Sequence, residues 1–415
     1  MPDVHFTNLL IVVAAGLLAP LALGFFPRVR LPAIVLEIVL GIAIGPSGLG
    51  WVEADLPVSI LAVIGLAFLL FLSGLEIDLE RLRGRILKLT AIGFAVSFAI
   101  GLVIGLSLKA GGFVTSPLFV AIVLVASSVG VIVPVLKDSG DASSGFGQLV
   151  IAAASIAEFG SIILLSLFFS TNGSTGTAGT LILLGGFGLV VLLVGLAVAG
   201  VEHSMSLAQV LQRLQDTTAE IRVRAAFVLL IGFAALADTV GLETILGAFA
   251  AGALLSLIDR DQRKTHPELR VKLEAVGFGV FIPIFFVTSG VGFDLDALFA
   301  NASTVARVPV FLLALYAVRG LPALVYLRLL GPSRSLSAGL LQSTSLTFIV
   351  AATQIGLGLG VVSRASAAGL IAAGLLSVAI SPTLALVLLR RQQTRERVAP
   401  EPPRGVAPPR LASID

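Results

Sequence analysis

Cysteine is absent from the 415-residue chain, which excludes disulfides, thiolate chemistry and cysteine-based metal sites. Histidine is nearly absent as well: His5, His203 and His266 all fall in polar stretches between apolar runs, leaving no pattern for metal catalysis. Charge is scarce, with Asp, Glu, Lys and Arg only 12% of the residues. An ordinary soluble chain carries about 25%, so water is not the solvent of most of this one. Alternating apolar and polar segments are missing too, which sets aside a β-barrel. No nucleophile and base pair, metal motif or phosphate loop is found, so the chain is expected to be no enzyme and to need no cofactor. The net charge of +3 reflects where the loops lie and implies no nucleic-acid partner.

What the sequence does have is hydrophobic length. Apolar residues make up 57% of the chain and mean hydropathy is +1.07. Stretches of about 20 apolar residues, each able to cross roughly 30 Å of hydrocarbon, recur from end to end. Polar, charged and Gly/Pro-rich breaks divide them into thirteen spans: 7–26, 31–50, 57–74, 89–108, 115–136, 147–169, 179–200, 223–239, 243–258, 273–292, 305–327, 336–357 and 366–389. The fold class is therefore an all-α polytopic membrane protein with the lipid bilayer as its surroundings. The narrowest division is Val240-Gly241-Leu242, between the eighth and ninth spans.

Loop charge tests that count, because Lys and Arg concentrate in short cytoplasmic loops. Of the 27 basic residues, Lys109, Arg307 and Arg364 alone fall in loops of one parity, and Arg319 lies inside a span. All the others gather on the opposite side. A miscounted helix would scramble this parity, so it supports an outside N-terminus and a cytoplasmic C-terminus. The Leu-, Ala- and Gly-rich composition suits a prokaryotic plasma (inner) membrane. The first run, Leu9 to Phe26, has no basic flank and no clear cleavage site, and reads as a retained helix. Residues Ser204 to Arg224 read as an interfacial helix, and the basic, Pro-rich stretch 391–415 as a disordered tail with no soluble domain after the membrane part.

An odd count permits two inverted halves, six helices each, joined by a linker helix. The halves would be about 7–169 and 223–389 with the linker at 179–200, all within one membrane domain covering 1–390. In the fifth span Ala126-Ser127-Ser128-Val129-Gly130 interrupts an apolar run, and in the fifth span of the second half Gln342-Ser343-Thr344-Ser345 does the same. Either interruption alone could simply let helices approach closely. As a matched pair they point to broken helices around a central ion site, where unwound backbone offers carbonyls and helix ends.

Four charges stand out inside the spans, where a charge near the bilayer centre costs roughly 2.5–3.5 kcal/mol without a partner, water or function. Glu158 sits mid-span in Ala153-Ala154-Ser155-Ile156-Ala157-Glu158-Phe159-Gly160, with small residues before it. It is either a paired acid tying helices together or a carboxylate that binds a proton or a cation. Burial favours the neutral form of a carboxyl and a neighbouring cation the charged form. One site can thus hold H⁺ or a metal ion but not both, which is enough to couple two fluxes. Arg319, just before Gly320 and Pro322, suits a fixed counter-charge for Glu37, Glu243 or helix ends better than proton carriage. Glu37 in the second span and Glu243 at the start of the ninth read as supporting acids near helix breaks or ends.

At these residues the chain resembles the monovalent cation:proton antiporter-2 family of sodium/proton and potassium/proton exchangers. The resemblance covers roughly 7–390 and rests on Leu31-Pro32 through Glu37 to Gly41-Ile42-Ala43-Ile44-Gly45-Pro46, and on Phe71-Leu72-Ser73-Gly74-Leu75-Glu76. It continues in Ile245-Leu246-Gly247-Ala248-Phe249-Ala250-Ala251-Gly252 and Pro283-Ile284-Phe285-Phe286. It implies a homodimer with a fixed interface domain and a moving core domain, whose crossed, discontinuous helices are the fifth and twelfth spans. The family's polar ion-carrying pair in the sixth span falls on Ala157 and Glu158, so the first position has lost its polar side chain. The family's deep basic residue in the eleventh span falls on Arg319. One carboxylate and an Arg that keeps its proton imply electroneutral exchange of one cation for one proton.

The function expected is therefore antiport of Na⁺ or K⁺ against H⁺. Glu158 carries the proton and, transiently, the metal ion; Ser127, Ser128 and Thr344 add oxygen ligands; Arg319 offsets negative helix ends. Two alternatives stay open: a sodium-coupled organic-solute symporter, and a transport-inactive sensor on the same scaffold.

Overall fold

The computed structural model describes residues 6–25, 31–76, 84–169, 176–202, 220–258 and 268–398, and among these there are helices and turns but no strand. That is what hydrocarbon dictates, since a spanning segment must satisfy its own backbone N–H and C=O groups.

The first four spans are α1 (Thr7–Phe25), α2 (Ala33–Ile44), α3 (Leu56–Leu75) and α4 (Gly84–Ala110). α2 ends earlier than position 50 because Gly45 leaves helical geometry at ψ 179 and Pro46 follows; the turn after it bonds back to the Ala43 and Ile44 carbonyls. Asp55 starts α3, its carboxylate accepting the Val58 N–H at 3.1 Å, with Pro57 in the first turn. The fifth span is split into α5 (Pro117–Val125) and α6 (Val129–Asp138), and α7 (Gly145–Phe168) and α8 (Gly176–Glu202) follow.

The narrow division after residue 239 is a real turn. Gly241, at φ 79, takes a left-handed conformation and separates α9 (Ile221–Thr239) from α10 (Thr244–Ile258). α11 (Glu268–Val276) continues through a π-helical turn, Gly277–Phe281, into α12 (Ile282–Val291). After the short α13 (Leu295–Phe299) and α14 (Ala302–Val305), α15 (Arg307–Leu315) passes through a second π-helical turn, Tyr316–Gly320. A 3₁₀ stretch, Leu321–Tyr326, leads into α16 (Leu327–Gln342). α16 holds Gly331 at φ 74 and ψ 171 immediately before Pro332, so one crossing ends there and the next begins without a loop. α17 (Thr347–Gly358) and α18 (Arg364–Val398) complete the chain.

Nine segments among the described residues are long and apolar enough to cross a membrane, and one of them, Ala302–Gly358, contains the two crossings joined at Gly331. With the short apolar α2 and α10 and the more charged α9, they make the thirteen expected spans. α18 runs to Val398, so the tail expected from 391 begins as helix; 399–415, and the interfacial stretch up to 219, lie outside the described residues.

The helices pack as two compact units. Unit 1 takes Met1–Asp78, Ser161–Val305 and Val350–Ala368. Its backbones touch at glycines. A Cβ on Gly41 would meet the Val287 carbonyl, one on Gly290 the Ile38 carbonyl, and one on Gly252 the Phe71 carbonyl, which draws α2 onto α12 and α3 onto α10. Phe68 adds ring contacts at 5.8 Å to Phe71, 6.0 Å to Phe227 and 5.8 Å to Phe281. Unit 2 takes Leu79–Gly160, Ala306–Ile349 and Gly369–Asp415. Its apolar core joins Ile132 and Leu136 of α6, Leu149 and Val150 of α7, Tyr326, and Ala385 and Leu389 of α18.

Candidate ion-binding site

Two helix breaks lie in unit 2. α5 stops where Ala126 turns extended (φ −65, ψ 153), and α6 starts after Ser128 (φ −92, ψ 98). Short hydroxyl side chains compete with a helix for its own backbone groups, which is why serines sit here. Pro134 in α6 adds to the opening, since it has no N–H to offer the carbonyl of Gly130. The second break runs from Ser343 to Leu346, between α16 and α17, and Ser343, Thr344 and Ser345 are all fully buried.

Each break is satisfied largely by the other. The Ser128 N–H donates to the Thr344 carbonyl at 2.8 Å, and the Ser127 hydroxyl donates to the Gln342 carbonyl at 2.6 Å. The Ser128 hydroxyl accepts the Leu346 and Thr347 N–H groups at 3.0 and 3.3 Å and pairs with the Thr347 hydroxyl at 3.1 Å. Ser128 therefore caps α17 from another helix, supplying at its N-terminus what an N-cap residue normally supplies locally. Leaving any of these buried groups unpaired would cost about 1–3 kcal/mol.

The two charges sit at opposite poles of the broken helices. Glu158 of α7 is 2% exposed, and its Oε2 accepts the Val129 N–H, the first amide of α6, at 3.2 Å. A carboxylate at a helix N-terminus is stabilised by the unpaired amides and the dipole, by up to about 2 kcal/mol where partly buried. The neighbours of Glu158 on α7, Ala157 and, one turn back, Ala154, are small and fully buried. Arg319 is carried on the second π-helical turn and is 1% exposed. Its Nε donates to the Ser127 hydroxyl at 2.9 Å, its Nη1 to the Ser97 hydroxyl at 3.1 Å and its Nη2 to the Gln342 side-chain carbonyl at 3.3 Å. These acceptors are neutral, and Ser127 and Gln342 lie at the C-terminal ends of α5 and α16, where positive charge is favoured.

Ser127, Ser128, Thr344, Glu158 and Arg319 thus belong to one unit. The Thr344 hydroxyl reaches back to the Leu340 carbonyl at 3.5 Å. Glu37 and Glu243 belong to unit 1, are 5% and 8% exposed, and each has one buried oxygen without a hydrogen-bond partner, Oε2 and Oε1 respectively. No cluster of His, Cys, Asp and Glu able to hold a metal by itself occurs among the described residues.

Sequence reasoning missed Ser97, the Gln342 side chain, Thr347 and the Val129 amide. Ser97 had a signal: Gly93, Ser97, Gly101 and Gly105 recur at a helical stride on the buried face of α4. The amide had none, because every residue but proline owns one.

The arrangement is a deep carboxylate on the first amide of one broken helix, with a fixed cation held by oxygens at the C-terminal ends of the same breaks. Such a group can take up a proton or a small cation. Comparison with known proteins agrees with that chemistry. The family described as "Sodium/hydrogen exchanger, transmembrane" matches residues 13–390. A "Putative Na(+)/H(+) antiporter YjbQ" of Bacillus subtilis is 31% identical over 413 residues, 95% of this chain; the chain spans 65% of that relative's length. A "Probable Na(+)/H(+) antiporter 3" of Methanocaldococcus jannaschii is 28% identical, over 86% of this chain and 90% of its own. In fold the chain is similar to the sodium proton antiporter MjNhaP1 of Methanocaldococcus jannaschii, with a TM-score of 0.67 and 18% identity over 92% of this chain and 97% of the other.

Proposed function

The chain belongs to the sodium/hydrogen exchanger family, and from that premise we propose that it exchanges a monovalent cation, Na⁺ or K⁺, for H⁺ across a prokaryotic plasma membrane. The observation that carries the reading is Glu158, buried mid-span with its carboxylate on the first amide of a broken helix. A relative named "Na(+)/H(+)-K(+) antiporter GerN" supports keeping both cations in view.

In this cycle Glu158 is cation-bound facing one side and protonated facing the other. Moving the bare carboxylate would bear its full desolvation cost, so the two loaded forms alone cross. Ser127, Ser128, Thr344 and the carbonyls of the breaks replace part of the cation's water. Arg319 never releases its proton at working pH and offsets the C-terminal helix ends. One titrating carboxylate gives electroneutral exchange, one cation per proton. A homodimer with its N-terminus outside and C-terminus in the cytoplasm accommodates this mechanism.

Because proton and cation compete, lowering the pH raises the apparent KM for the cation and raising it does the reverse. Proteoliposomes with a trapped pH dye test the reading. The wild type should dissipate a pH gradient on addition of Na⁺ or K⁺, insensitively to membrane potential, and Glu158→Gln should behave as empty liposomes. If Na⁺, K⁺ and Li⁺ all leave the gradient untouched in the wild type, exchange is refuted. An active Glu158→Gln variant would instead remove Glu158 from its role.

A further inference from the structure

Twice the chain follows the same order, a broken span and then a long helix, α5–α6 then α7 and α16–α17 then α18, with both breaks in unit 2. At the first break the following helix sends in Glu158, which accepts the Val129 amide. At the second it sends in Ser377, fully buried, whose hydroxyl accepts the Ser345 N–H at 3.2 Å. The same hydroxyl lies within donating distance of the Ser345 carbonyl at 3.2 Å and the Gly374 carbonyl at 2.8 Å. One turn away on the same helix, Gly374 lets the break come close: a Cβ there would lie 2.9 Å from the Ser345 carbonyl oxygen and 3.2 Å from Leu346 Cδ1. Ser345 is thereby held at its N–H, the one Ser377 proton going to the nearer Gly374 carbonyl or to that of Ser345, while the Ser345 hydroxyl is buried without a hydrogen-bond partner.

We propose that Ser377 is a positioning residue of the exchange site, holding the second break as Glu158 holds the first, so that the unpartnered Ser345 hydroxyl is kept available as a ligand for the monovalent cation. The cation role rests on the exchange reading above. The holding role does not. A hydroxyl in this place carries no charge through the working pH range, so the second break is clamped in every protonation state of the first and exchange stays centred on one carboxylate.

The test pairs hydrogen–deuterium exchange of the full-length wild type and Ser377→Ala with cation-driven proton flux in liposomes. In Ser377→Ala the Ser345 amide should exchange about tenfold faster, the effect of losing one buried hydrogen bond, while the Val129 amide keeps its rate. The apparent KM for whichever of Na⁺ or K⁺ the wild type transports should rise about tenfold by the same loss, with Vmax and the shape of the pH profile retained. Ser377→Thr, which keeps the hydroxyl, should restore both. Unchanged Ser345 exchange in Ser377→Ala, or loss of Vmax at constant KM, overturns the proposal. If Ser377→Ala is not monodisperse, Ser377→Cys must show both changes in smaller size, or the proposal falls. Should the wild type transport neither cation, the exchange reading fails, and the Ser345 amide alone decides whether Ser377 holds the break.

Discussion

Unit 1 and unit 2 are both bundles of apolar helices packed through glycines, yet unit 2 adds a polar network at its helix breaks. In unit 1 the closest contacts are backbone on backbone through Gly41, Gly290 and Gly252, with phenylalanines filling the remaining space. Its buried acids, Glu37 and Glu243, each keep an oxygen without a hydrogen-bond partner. Unit 2 also packs backbone on glycine, Gly105 against Pro117 and Gly339 against Gly320, but it adds a buried polar network in which Arg319 is met by Ser127, Ser97 and Gln342. Glycine packing gives one arrangement at low cost in lipid, where van der Waals fit replaces the hydrophobic effect. Hydrogen-bonded breaks need every partner in place, but they expose the backbone that an ion requires. On the proposed reading, the difference separates a scaffold from the exchange site.

Four substitutions bear on that contrast, from the largest expected effect to the smallest. Arg319→Ala should lower stability by about 3 kcal/mol, because a buried polar network losing one partner strands the others; a melting midpoint equal to wild type would show the guanidinium to be dispensable. Gly252→Ala should cost about 2 kcal/mol of overpacking strain, since its Cβ falls on the Phe71 carbonyl. Its surviving molecules should exchange cations with an unchanged KM, and a raised KM would show that unit 1 shapes the site. Ser128→Ala removes the cap on α17 and should cost about 1 kcal/mol, read as a lower melting midpoint with a higher cation KM. Glu37→Gln replaces a carboxyl having no hydrogen-bond partner for Oε2 with a neutral isostere, so stability should change by less than about 0.5 kcal/mol and exchange by less than twofold; loss of exchange would make unit 1 part of the proton path.

Much of the fold was legible in the sequence because hydrocarbon imposes a simple grammar of apolar length and loop charge. The narrow turn at Gly241 and both breaks were readable from glycine and clustered serines. The π-helical turns were not, although one carries Arg319. A single extra residue per turn leaves hydrophobic content and span length unchanged, so neither signal registers it. Glu158 and Arg319 stood out because charge in lipid is expensive. Ser97 and Ser377 did not, because serine at a helix contact looks the same whether it eases packing or accepts a hydrogen bond. The two units were also hidden: each is assembled from three separated stretches, and long-range packing leaves no local mark.

The mutual dependence of the breaks bears on how the chain is made. Ser127 finds its acceptor, the Gln342 carbonyl, 215 residues further along. At roughly 5–20 residues per second of synthesis, the first broken span waits roughly 10–40 s for its partner. During that interval the Ser127 hydroxyl and the Ser128 N–H have no native acceptor in the bilayer, and water, the insertion machinery or a chaperone must shelter them. Nascent chains halted before Gln342 should therefore be targets for membrane quality control, whereas chains halted after α18 has emerged should escape it.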